Sequence, residues 1–135
     1  MSPANLIEPP VTEASAPFWE ATRERRLVLP WSTVTGRPVW FPRDADPLAP
    51  DRPYEWREAS GEGVVYAASV HPRPGPGRTE DDCPYVVALV DLAEGVRMMA
   101  NIVDCPPEDV VVGMPVRVTW QPLSDGRHLP QFRPA

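Results

Sequence analysis

A chain of 135 residues with a formal net charge of -6 and a pI near 4.8 suits one modest domain and opposes binding to a nucleic-acid backbone, which needs clustered Lys and Arg. Prolines number 20, about three times average usage, so long helices are few. No apolar run approaches the roughly 20 residues that span a bilayer, no basic and apolar leader opens the chain, and two cysteines make no disulfide framework. A cytoplasmic protein with buried thiols at Cys83 and Cys105 is therefore expected.

In chain order, residues 1–13 carry Pro3, Pro9 and Pro10 and predict an extended arm. Ser15 is the expected N-cap of a helix over Pro17–Arg26, with Pro17 in the first turn and arginines at the far end. Its aromatic side, Phe18 and Trp19, either packs on the domain or docks on another chain. Leu27–Trp31 and Arg37–Phe41 predict a small hairpin about Thr33-Val34-Thr35-Gly36, and the Pro- and Asp-rich residues 42–53 must be irregular. Tyr54–Ala59 and Val64–Val70 predict one long strand bent by a bulge at the intervening glycines, followed by a mobile loop over residues 71–82.

Pro84–Asp104 predicts the central hairpin, turning at Glu94-Gly95. That turn would pair Leu89 with Ala100, Val87 with Ile102 and Val90 with Met99. It would place Val87, Leu89, Met98, Ala100 and Ile102 on one face, with Val86, Ala88, Val90, Met99 and Val103 on the other. Both faces are apolar, so the hairpin sits at the centre of a closed barrel or is covered outside by a partner. A connector over Pro106–Gly113 and strands over Pro115–Gln121 and Leu129–Arg133 complete the chain. Five strands, one of them bulged, match the OB-fold barrel more economically than a sandwich.

Catalytic chemistry is sparse. His71 and His128 have no serine or cysteine at a recognisable nucleophile spacing, and the carboxylates at Glu80-Asp81-Asp82 and Glu108-Asp109 read as solvated loops. Arg37, Arg43, Arg52 and Arg57 either meet the phosphates of a nucleotide-like ligand or pair with Asp44, Asp46, Asp51 and Glu58.

Six segments in order, FWEATRERRLVLP, WFPR, SGEGVVYAASV, PYVVALVDLAEGVRMMANI, VVGMPVRVTW and PQFRP, resemble the zinc-ribbon OB-fold proteins. That family was long known as a domain of unknown function and is associated with acyl-CoA metabolism. The resemblance implies a mainly β protein. An arm and helix (1–26) and a ribbon knuckle (27–53) would precede a five-stranded OB-fold barrel (54–135). The family's CxxCG positions fall on Ser32, Thr35 and Gly36, and its CPxC positions on Asp46, Pro47, Leu48 and Ala49. All four cysteines are missing, so the resemblance implies a degenerate, metal-free knuckle with no zinc or other cofactor. Trp31, Val34, Val39, Trp40 and Phe41 are expected to fill it.

Functionally, the resemblance implies a non-catalytic subunit docked on a thiolase-like enzyme that acts on acyl-CoA. Phe18, Trp19, Arg23, Arg26, Trp31, Trp40 and Phe41 would form the partner surface, and Arg37, Arg43, His71 and Arg73 would be the acyl-CoA contacts. A stand-alone acyl-CoA-binding module is the alternative. A single-stranded nucleic-acid module has the aromatics but the wrong charge.

Overall fold

Strict alternation along the central strands determines the architecture. In the computed structural model, which describes residues 7–135, Tyr85–Leu92 alternates half-buried and buried positions, with Val86, Ala88, Val90 and Leu92 turned inward. The elements are α1 (Ala16–Thr22), β1 (Val28–Trp31), β2 (Glu55–Glu58), β3 (Glu62–His71), β4 (Tyr85–Leu92), β5 (Arg97–Ile102), β6 (Pro115–Pro122) and β7 (His128–Pro134). Strands β3 to β7 close a barrel in the order β3-β4-β5-β7-β6, with β6 returning to β3. All its neighbours are antiparallel except β5 and β7. This is the expected five-stranded OB-fold, and single 3-10 turns at Glu80–Asp82 and Pro107–Asp109 punctuate two of its connections. Phe132, Val65, Val86, Val90 and Val116 are fully enclosed at its centre.

Four expectations are corrected. The central hairpin turns through three residues, Ala93-Glu94-Gly95, because the Leu92 N–H donates to the Val96 carbonyl and Gly95 takes φ +105°. The register therefore slips by one: Leu89 faces Met99, Val87 faces Asn101, Val86 faces Ile102 and Val90 faces Met98. The slip puts Val86, Ala88, Val90, Met98, Ala100 and Ile102 on the inner face, and Val87, Leu89, Met99 and Asn101 outside. Second, Tyr54–Ala59 does not extend β3. Its strand β2 pairs with β1 in a separate two-stranded sheet, so the barrel begins at Glu62 rather than at residue 54. The bulge lies between Val65 and Ala67, where it bends β3 itself.

Third, α1 ends early. Arg25 adopts φ +56°, and the Arg26 and Arg25 N–H groups close on the Ala21 and Thr22 carbonyls in a Schellman-type turn. Ser15 makes no side-chain cap to the helix, exchanging hydrogen bonds with Thr12 instead. Fourth, Cys83 and Cys105 are half-buried rather than buried. Of the N-terminal arm, the part from Ile7 lies within the described residues. It is fastened to the β6–β7 turn by Glu8, whose carboxylate accepts from the Ser124 N–H at 2.6 Å and its hydroxyl at 2.7 Å.

Candidate docking face and knuckle

The knuckle is organised by a polar pair. Ser32 follows β1, and Asp46 and Ala49 come from the irregular segment; all three are buried. The Ser32 hydroxyl donates to the Asp46 carboxylate at 2.5 Å, and Ser32 Oγ accepts the Val34 and Thr35 N–H groups at 3.2 Å. Asp46 Oδ1 accepts the Leu48 N–H at 3.0 Å. The Ser32 hydroxyl first, then the Leu48 N–H, hold the Asp46 carboxyl below the usual carboxylate range. These bonds occupy the positions that the resemblance gives to ligand cysteines. As a zinc cage the set does not fit: Ala49 has no donor atom, Thr35 faces solvent, and Ser32 is engaged by Asp46.

The aromatic filling expected of the knuckle is only partly realised. Trp31 and Trp40 are half-buried against the core, but Val34 and Phe41 stand 51% and 68% exposed. Phe18 and Trp19 belong to the core, with Phe18 packed edge-on to Trp19 at 5.0 Å and to Trp40 at 5.1 Å. Arg23 donates to the Asp125 carbonyl at 2.7 Å and Arg26 to Glu58 at 2.6 Å. Within this chain, Phe18, Trp19 and Arg23 thus join α1 to the barrel and Arg26 joins it to β2, and Phe41 is the prominent exposed aromatic of the expected partner surface.

A different surface presents apolar groups outward. The corrected register brings Ala67 and Ser69 of β3, Val87 and Leu89 of β4 and Met99 of β5 to one outer face, around an open hollow of about 220 Å³. Val87 and Met99 also line an adjoining hollow of about 320 Å³ that reaches Arg78, Tyr85 and Asn101. Met99 is 66% exposed. At one end Arg97 lies over the Tyr66 ring, 3.3 Å from its centroid, and pairs with Asp91 at 2.6 Å, which keeps the Asp91 carboxyl below its usual range. At the other end Arg78 lies 4.0 Å over Tyr85 and donates to Asn101 Oδ1 at 2.9 Å, while His71 stacks on the same tyrosine at 5.0 Å.

Residues 56–121 match the family model described as ChsH2, C-terminal OB-fold domain. The chain is 34% identical over 109 residues to the DUF35 domain-containing scaffold protein of Methanocaldococcus jannaschii, covering 79% of this chain and 77% of that protein. The chain belongs to the DUF35 family. A solved structure of the Ltp2-ChsH2(DUF35) aldolase contains a chain that superposes on this DUF35 protein with a TM-score of 0.83 at 34% identity, covering 94% of this chain and 98% of that one. The probable enoyl-CoA hydratase alpha subunit of Thermomonospora curvata is 36% identical over 135 residues, 98% of this chain. This DUF35 chain spans about two fifths of that relative's length, 41%.

Among the described residues, both histidines are engaged by groups other than the two thiols. His128 Nδ1 is committed to the Thr22 carbonyl at 2.8 Å, which ties β7 to α1, and His71 is stacked as described. Burial, then Glu80 and Asp82, push the Cys83 thiol up; burial, then Asp109, Asp104 and Glu108, do the same to Cys105. Both thiols are thus held in their weakly nucleophilic protonated form. The four expected acyl-CoA contacts do not fall on one element: His71 ends β3 and Arg73 lies at the start of the β3–β4 loop, whereas Arg37 and Arg43 lie in the knuckle. Arg43 lines a hollow shared with Glu13 and Asp44, whose charge opposes a phosphate. Among the described residues no helix is long and apolar enough to cross a membrane.

Proposed function

We propose that this DUF35 chain is a non-catalytic subunit that docks on a thiolase-like enzyme acting on acyl-CoA substrates and helps shape that enzyme's pocket. We also propose that its knuckle works without zinc. The observation that carries the reading is the near-complete superposition on the chain of the Ltp2-ChsH2(DUF35) aldolase. The scaffold-protein and CoA-hydratase-subunit names of its relatives point the same way. The residue chemistry supports it from a second direction. Both thiols are kept protonated, one histidine is fixed to a backbone carbonyl and the other is stacked on a tyrosine. The reacting groups then belong to the partner, and this chain contributes surface.

The test is turnover of acyl-CoA thioesters by the purified chain, with elemental analysis of the same sample. No turnover and no zinc are expected. Turnover that disappears in His71→Ala would overturn the non-catalytic reading, and stoichiometric zinc would overturn the metal-free knuckle.

A further inference from the structure

We infer that the outer face of β3, β4 and β5 is where the partner enzyme docks, and that the partner meets it with an aliphatic stretch flanked by a carboxylate aimed at Arg78. The inference rests on the accessory-subunit reading. A barrel strand facing water on its outer side should carry polar residues at alternate positions, but this one carries Val87 and Leu89 beside Met99, with Met99 66% exposed. Strand β4, which carries Val87 and Leu89, is paired along both sides, with β3 and with β5, and so has no unpaired edge to offer. Docking there is therefore by side chains. An apolar centre rimmed by arginine and aromatic residues is the anatomy of a protein interface.

Charge selects the occupant. Arg97 is satisfied by Asp91, whereas Arg78 donates to the neutral Asn101 and lies on Tyr85, and it makes no ion pair among the described residues. Arg78 is therefore the cation on this face with hydrogen-bonding capacity left for a carboxylate. In a second copy of the same face Asp91 is already engaged by Arg97. A nucleic acid is opposed by the net charge of -6. A partner chain with its own acidic group meets both requirements.

The test uses the thiolase-like enzyme that copurifies with the tagged wild-type chain, reconstituted as a two-chain complex. Binding is measured by calorimetry for the wild type, Met99→Glu, Arg78→Ala and Phe41→Glu. Each substituted side chain lies outside the buried core, and circular dichroism verifies the fold of every variant. Met99→Glu should weaken binding by about 30-fold or more, the scale of a hot-spot residue. Arg78→Ala should weaken it by about tenfold or more and lower its salt sensitivity, and Phe41→Glu should bind like the wild type. Wild-type affinity in Met99→Glu, or loss of binding in Phe41→Glu alone, would overturn this face while leaving the accessory-subunit reading intact. Failure of the wild type to bind any thiolase-like enzyme would remove that reading and the inference with it. A wild-type homodimer that Met99→Glu splits into monomers would make a second copy the occupant and overturn the inference.

Discussion

Asp46 concentrates the knuckle's order in one carboxylate, which takes the Ser32 hydroxyl on one oxygen and the Leu48 N–H on the other. Because these bonds favour the charged form, the folded pKa lies below the unfolded one. The stabilisation is present above the unfolded pKa and is lost as pH falls through the folded pKa. Asp46→Asn should therefore lower the melting temperature at neutral pH by a few degrees, a deficit that shrinks as pH falls through the lowered folded-state pKa. Thermal melts across pH check this, and a deficit independent of pH would contradict it. Replacing Ser32, Thr35, Asp46 and Ala49 together with cysteine should give a chain that takes up zinc stoichiometrically, read by elemental analysis. Failure to bind zinc would mean that the loop path, and not only the ligand set, has diverged.

Among the elements, the start of β3 is closely packed. At Gly61, just before it, φ is +81° and an added Cβ would lie 2.5 Å from Val118 Cγ1. Gly95 has φ +105° but open space around it. Gly61→Ala should cost on the order of 1–3 kcal/mol, and Gly95→Ala less, because only the backbone is strained there; denaturant titration gives the order. Phe132→Ala, at a fully enclosed position of β7, should cost about 3–5 kcal/mol. The barrel strands were legible because apolar alternation reports which side chains go inward. Register was not, since one extra residue in the Ala93-Glu94-Gly95 turn leaves that alternation intact while changing every partner. Tyr54–Ala59 reads equally well as a strand beside β1 or as the start of β3, and only tertiary pairing decides. Phe18 and Trp19 were legible as contact residues, but sequence does not say whose core they fill. The Ser32–Asp46 bond joins residues 14 apart through a loop without periodicity, so no local signal announced it.

For the whole molecule, the proposed function is one of surface contact. The N-terminal arm, α1 and the small sheet are fastened to the barrel by Glu8, Phe18, Trp19, Arg23 and His128. The outer face of β3, β4 and β5 is left with its apolar centre and its two arginine–aromatic ends. That division of labour makes the central claim a statement about assembly. Native mass spectrometry of the tagged chain purified from its own host tests it most directly. The account predicts a discrete complex with a stoichiometric thiolase-like enzyme chain; a spectrum showing only this chain, alone or paired with itself, would contradict it.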